Sequence, residues 1–212
     1  MHTPPTSPPT TAESPSDAVL TFWLGDALKS DWPEQSRNDL WFGGGAAQDQ
    51  LVTQQFGHLV DEALAGGLTE WESSLDQRLA LIIVLDQFTR NVHRGKAQAF
   101  AGDTRAQQLV LRTLAQDEDK ALPRVARVFL YMPLMHAEHL ALQEACVAHF
   151  TELAENAPPE LRETLNGNLK FALQHRDIVA AYGRFPYRNE SMGRENTTEE
   201  AEFLKNGPRF GQ

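Results

Sequence analysis

The chain has 212 residues and a formal net charge of -10, with 41% hydrophobic and 23% charged residues. These values are typical of one soluble globular domain, and the acidic balance argues against nucleic acid or an anionic membrane as partner, because both need a basic surface. Cys146 is the only cysteine, which excludes an intrachain disulfide and a four-cysteine zinc site and fits a cytoplasmic protein.

The first 16 residues, "MHTPPTSPPTTAESPS", are rich in Pro, Ser and Thr and predict a disordered tail. They have neither the basic start nor the apolar centre of a secretory signal. No apolar run elsewhere in the chain reaches the roughly 20 residues that a membrane span needs. We therefore expect residues 17–212 to form the folded part as a single α-helical domain.

Helical patterns dominate that domain from its start. The first predicted helix covers "SDAVLTFWLG", with Ser16 or Asp17 near its N-cap, and the second covers "AAQDQLVTQQFGHLVDEALAGG". The third runs over residues 74–89 and is apolar on all sides near its middle, as expected for a helix with neighbours on several sides.

Five more helices follow, beginning near Asp103, Pro123, Ala137, Pro159 and Thr197. Pro133 is expected to interrupt the fifth helix, because proline removes a backbone donor. Thr197 and Glu200 match a T-x-x-E capping box that opens the last helix. The predicted fold class is therefore all-α, a single-domain bundle or array of about eight helices.

Polar and charged residues follow the apolar third helix in the pattern Asp86-x-x-x-Arg90-Asn91-x-x-Arg94. Asp86 and Arg90 are four residues apart, so a continuing helix places them on one face. One interpretation is an ordinary ion pair at a helix end. The other is that Asp86 orients Arg90, whose planar guanidinium then holds a carboxylate or phosphate, with Asn91 and Arg94 beside it.

A second polar window, "HRDIVAAYGRFPYRNESMGRE", carries Arg184, Arg188 and Asn189. The chain has 14 Arg against 5 Lys, and six of the arginines lie in these two windows. Arginine is favoured where the geometry of pairing matters, so the choice points to anion recognition. A structural ion network that fixes a long loop is the competing interpretation.

The segment "YMPLMHAEHL" contains His136, Glu138 and His139, and helical spacing would bring the two histidines onto one face. With His175 or Asp177 they could form a metal site. No H-E-x-x-H motif is present, so we assign no metal and interpret His136 or His175 as a general acid or base. The chain also has no phosphate loop and no dinucleotide fingerprint, and we assign no cofactor.

Several of these segments together resemble the DUF924 family of bacterial and fungal proteins. The matching stretches are "FWLGD", "RNDLWFGGG", "LALIIVLDQFTRNVHRGKAQAFAGD", "RVFLYMPLMHAEHL" and "HRDIVAAYGRFPYRNESMGRENTTEEAEFL". The resemblance implies a tetratricopeptide-like α-helical fold and no established biochemical function. The chain departs from the family pattern at Thr89, where the family commonly has proline, and at Tyr187, where it often has histidine. Tyr187 keeps a hydroxyl group that can hydrogen-bond a ligand.

Three functional interpretations follow from these patterns. In the first, the polar windows converge on a pocket for a small anionic ligand, with His136 or His175 moving a proton and Asp86 orienting its partners. In the second, the helical array is a protein-interaction module that binds a peptide in a groove. In the third, every arginine belongs to a closed structural network and no pocket remains.

Overall fold

The computed structural model describes residues 13–210, and within that range it contains helices and turns but no β-strand. Eight α-helices of nine or more residues confirm the predicted all-α, single-domain fold. In chain order, the α-helices are α1 (Pro15–Leu24), α2 (Ala27–Ser30), α3 (Asn38–Phe42), α4 (Ala46–Leu64), α5 (Leu75–Ile83), α6 (Thr89–Val92), α7 (Asp103–Ala115), α8 (Arg124–Met135), α9 (Leu140–Glu155), α10 (Arg162–Tyr182) and α11 (Thr198–Asn206). The other helical elements are a π-helical turn, Val84–Phe88, and 3-10 helices at Thr69–Glu72, Ala97–Phe100, Glu118–Ala121, Pro159–Leu161 and Pro186–Arg188.

The first helix begins slightly earlier than predicted. Its N-cap is Ser14, whose side-chain oxygen accepts a hydrogen bond from the backbone N–H of Asp17, and Pro15 takes the first helical position. Pro15 and Ser16, which the sequence assigned to the tail, therefore belong to the folded domain. The rest of the predicted tail, residues 1–12, lies outside the described residues.

The hydrophobic core forms around α5 and α8, which pack against each other. Residues 79–85 are all buried, as predicted, because α1, α7 and α8 also pack around this segment. The rings of Phe88 and Phe129 approach Trp23 edge-on, with centroids 5.4 and 5.8 Å away. Such aromatic pairs add about 1 kcal/mol each to the burial of their surfaces. Between residues 13 and 210, no helix is both long enough and apolar enough to cross a bilayer.

The expected interruption at Pro133 is wrong, since α8 continues through this residue to Met135. Proline lacks the N–H that would bond to the carbonyl of Phe129 one turn earlier. The helix ends two residues later, so little of it depends on the missing bond, and burial of the apolar side chains of α8 holds it in place. This ending places His136 at the C-cap of α8, where its backbone N–H bonds to the carbonyl of Met132 at 3.0 Å.

The predicted third helix contains a π-helical turn that the sequence pattern did not indicate. In this wider turn the carbonyl of Val84 accepts a hydrogen bond from the Thr89 hydroxyl at 2.9 Å. Gly102, at the start of α7, packs against the same turn. A Cβ atom at Gly102 would lie 2.3 Å from the carbonyl oxygen of Leu85, so the close approach requires glycine. This contact brings Asp103 next to the turn that carries Asp86.

Candidate functional site

A cavity of about 580 Å³ lies between α3 and the start of α4 on one side and α10 on the other, with α8 contributing to its wall. Most of its wall is apolar, formed by Trp23, Trp41, Phe42, Val128, Met132, Met135, Phe150, Phe171 and Phe210. Its polar lining consists of Asn38, Gln48, Gln87, Arg90, Asn91, Arg94, His136, Asn168 and His175. Phe42 and Phe171 are 57% and 52% exposed, which places them at its mouth.

The first predicted polar window contributes directly to this cavity. Arg90, Asn91 and Arg94 line it, together with His136 and His175 from other segments. Asp86 does not line it and lies behind His136, only 1% exposed. The structure therefore brings together five of the predicted site residues at the cavity surface and a sixth immediately behind it.

Asp86 is the centre of a buried hydrogen-bonded group. Its Oδ1 atom lies 2.7 Å from Nδ1 of His136 and 3.2 Å from Nη1 of Arg90, and its Oδ2 accepts from the amide of Gln87 at 2.5 Å. Burial raises the pKa of Asp86, but the charge of His136 when it is protonated at acidic pH, the charge of Arg90 and the hydrogen bonds outweigh it and lower the pKa to about 2. Asp86 is therefore an ionised carboxylate that orients the imidazole of His136.

The predicted Asp86–Arg90 ion pair is present, and a second acid that the sequence did not indicate completes it. Nη1 and Nη2 of Arg90 lie 2.9 and 3.1 Å from the two carboxylate oxygens of Asp103. Nη1 of Arg188 lies 3.5 Å from the same carboxylate. Arg188 is buried between the rings of Phe100 and Phe185, each 4.5 Å from its guanidinium carbon. Burial and the charge of Arg90 lower the pKa of Arg188.

Arg94 is also paired with an acid from a distant helix. Its Nε and Nη2 atoms donate to the two carboxylate oxygens of Asp49 on α4, at 2.6 and 2.8 Å. The amide of Asn91 donates to Oδ1 of the same carboxylate at 2.8 Å. Burial raises the pKa of Asp49, and the bonds from Arg94 and Asn91 outweigh it and lower the pKa. Asp49 itself does not line the cavity, so the arginine side chain separates it from a ligand.

His175 lies on α10 and lines the same part of the cavity as His136, with the two ring centroids 6.2 Å apart. Nδ1 of His175 donates to the carbonyl of Phe171 at 2.8 Å. The ring of Phe210 stacks on the imidazole, with the two ring centroids 3.9 Å apart. Burial, with a smaller contribution from His136, lowers the pKa of His175 to about 3. The ring is therefore neutral at physiological pH.

Of the second predicted window, only its first residue, His175, lines the cavity. Arg184 forms a two-bond ion pair with Glu200 at 2.6 and 2.8 Å, and the amide of Asn189 donates to the same carboxylate at 3.1 Å. Tyr187 stacks on Phe185 at 5.3 Å, one layer behind the lining. Arg184 and Asn189 thus fix the start of α11 to the preceding loop, as the structural interpretation of this window proposed.

The geometry also separates the groups that were considered for a metal. His136 ends α8 and His139 precedes α9 with an extended backbone, so the two are not on one helical face. Asp177 is exposed and pairs with Arg176, while Glu138 pairs with Arg194 through both of its oxygens. Within residues 13–210, no three His, Cys, Asp or Glu side chains group where they could hold a metal ion.

Sequence reasoning missed Asn168 and Phe171 in the lining. They occur at helical spacing with the predicted His175 on α10 and share one face with it, a signal that the sequence contained. Asp49 and Asp103 carried no signal, because their arginine partners lie 45 and 13 residues away in the chain.

Comparisons with known proteins support this fold and assign no activity. The family model described as "Bacterial protein of unknown function (DUF924)" matches residues 19–208. A solved structure of the protein of unknown function ATU0120 from Agrobacterium tumefaciens is similar, with a TM-score of 0.73 and 32% sequence identity. The match covers 91% of this chain and 97% of that one. No curated protein is significantly similar to the chain.

Proposed function

Because the chain belongs to the DUF924 family, whose description assigns no reaction, we propose its function from the cavity: it binds a small molecule with an apolar body and an anionic head. The head is a carboxylate or a phosphate. His136, oriented by Asp86, moves a proton to or from the bound molecule.

The observation that carries this proposal is the asymmetry of the cavity wall. Arg90 and Arg94 are the charged residues of its described lining, and the acids that pair with them, Asp86, Asp103 and Asp49, lie behind that surface. A ligand therefore meets guanidinium and imidazole groups rather than carboxylates. The aromatic and methionine side chains that form most of the wall suit an apolar body, and the volume falls within the usual range for small-molecule sites, about 300–1,000 Å³.

The pair of Asp86 and His136 supports proton transfer at this site. A buried carboxylate that binds Nδ1 of a histidine fixes the tautomer and leaves Nε2 as the nitrogen available to a ligand. Nε2 of His136 makes no hydrogen bond with the described residues, and the side chain lines the cavity. Burial lowers the pKa of His136 although Asp86 opposes this, so the free ring is a neutral base.

Thermal stability across a panel of carboxylates, phosphate monoesters and their neutral amides tests the proposal, since a ligand that binds only the folded state raises the melting temperature. We expect a rise with one anionic class that bears an apolar body. Phe171→Ala should reduce that rise, because Phe171 lines the mouth, and Leu111→Ala is the matched control, a 42% exposed side chain outside the lining. If no anion in the panel raises the melting temperature, the proposal is wrong.

One observation favours a peptide as a second candidate ligand. Phe210, from the segment after α11, already enters the cavity wall and stacks on His175, with Phe171 and Tyr187 edge-on to it. A partner's aromatic residue could take the same position. A fluorescent peptide NGPRF, which copies residues 206–210, should then bind the Phe210→Ala variant more tightly than the wild type. Equal weak binding to both proteins would eliminate this candidate.

A further inference from the structure

The two imidazoles of the cavity are held in the same tautomer by different partners. Nδ1 of His136 faces the carboxylate of Asp86, and Nδ1 of His175 faces the carbonyl of Phe171. An ionised carboxylate and a carbonyl oxygen only accept hydrogen bonds, so Nδ1 carries the proton in both rings. Each neutral ring therefore presents an Nε2 lone pair, and neither Nε2 bonds to a described residue.

The neighbouring arginines are already engaged in part, and they leave both Nε2 lone pairs in place. Arg90 already contacts two carboxylates, those of Asp86 and Asp103, and Arg94 contacts both oxygens of Asp49. An anionic head that the guanidinium groups attract and that also reaches the histidines thus meets two hydrogen-bond acceptors there. It needs a new donor there, and the simplest source is a proton from solvent.

We propose that His136 takes up a proton when an anionic head binds, so that it acts in the complex as a general acid, while His175 stays neutral. The inference rests on the proposed function. The imidazolium would have the Asp86 carboxylate on Nδ1 and the ligand anion on Nε2, which gives it an opposite charge on both sides. His175 lacks this support, because the partner of its Nδ1 is the neutral carbonyl of Phe171.

The charges around His136 explain why the proton arrives with the ligand. Asp86 on the π-helical turn favours the protonated ring, whereas burial, Arg90 on α6 and Arg188 on the 3-10 helix oppose it, and His175 faces it from α10. These opposing effects leave the pKa of His136 lowered in the free protein. One more negative charge within about 4–6 Å typically raises a pKa by one to three units, and so acts with Asp86 against burial and the two arginines.

Phenylacetate is a suitable probe, because its aromatic ring matches the wall and its carboxylate does not titrate between pH 6 and 8. Its binding is measured by calorimetry at pH 7 in HEPES and in Tris, whose different ionisation enthalpies report the number of protons taken up. We expect close to one proton per bound phenylacetate, and an affinity that falls about tenfold from pH 7 to pH 8. Neutral phenylacetamide should bind without proton uptake.

Two variants locate the proton. His136→Gln should abolish the uptake, and His175→Gln should keep the same proton count per bound phenylacetate. If phenylacetate binds the wild type without proton uptake, this inference is wrong and the proposed function still stands. Because this measurement uses only the wild-type protein, it tests the inference even if a variant does not fold. Uptake lost only in His175→Gln would overturn it too. Failure of every anion to bind would instead refute the proposed function, and the inference with it.

Discussion

Replacing Asp86 by asparagine tests the buried charge cluster on which the site depends. The substitution hardly changes volume, so the loss of stability measures mainly the carboxylate charge and its hydrogen bonds. The pKa of Asp86 is lowered from 3.8 to about 2, and this difference corresponds to about 2 kcal/mol of unfolding free energy at pH 7. The change also leaves Arg90 and Arg188 to share one carboxylate, that of Asp103, so we expect a total loss of about 2–4 kcal/mol.

The dependence on pH distinguishes this charge effect from a packing defect. A carboxyl group with a lowered pKa stabilises the folded state above the unfolded pKa of 3.8, and this contribution is lost as the pH falls towards 2. The wild-type advantage that stems from the charge should therefore shrink to about half at pH 3. Urea denaturation of wild type, Asp86→Asn and the exposed control Asp61→Asn at both pH values provides the measurement. A loss below about 0.5 kcal/mol at pH 7, or one that is unchanged at pH 3, would refute the reasoning.

Three further predictions concern the surroundings of the cavity. Because the pKa of buried His175 is lowered to about 3, its contribution to stability is present above pH 6.5 and is lost as the pH falls, at up to about 1.4 kcal/mol per pH unit. When the unfolding free energy is measured by urea denaturation at pH 4, 5 and 6, it should therefore fall less steeply with decreasing pH in His175→Gln than in the wild type. Gly102→Ala should lower the melting temperature and cost about 1–3 kcal/mol of stability, because the new Cβ would lie 2.3 Å from the carbonyl oxygen of Leu85. Gly167→Ala on α10 should instead raise the melting temperature, because open space surrounds that position. The Cys146 thiol is buried and its pKa is raised, so a disulfide reagent should modify it only at the rate of unfolding; fast modification of the folded protein would contradict its placement.

The helices could be predicted from the sequence because their signals are local. Apolar spacing and end signals, such as the Thr197 capping box, identify all eight longer helices. Pro133 misled the prediction, because the rule for proline describes its local cost and not the burial that offsets this cost in α8. The sequence pattern showed no signal for the π-helical turn, against which Gly102 from another part of the chain packs closely.

The candidate site could be predicted only in part, for a related reason. Asp86, Arg90 and His136 stood out through charge and spacing, and the structure places them in contact. The same criteria selected Arg184, which pairs with Glu200 away from the cavity. An arginine that binds a ligand and one that binds a glutamate look alike in a sequence, because the partner that distinguishes them comes from tertiary structure.

The paired arginines also determine which substitutions can separate ligand binding from folding. Arg90→Ala would remove a charged partner from the buried carboxylates of both Asp86 and Asp103 and would destabilise the protein whether or not the cavity binds anything. Asn168 lines the cavity and makes no hydrogen bond with the described residues, so its loss removes a contact for a ligand and little else. A ligand-dependent rise in melting temperature that weakens in Asn168→Ala, while the unliganded melting temperature stays constant, would therefore be direct support for binding in this cavity. A variant of Arg90 cannot provide such support, because the structural network and the cavity share that side chain.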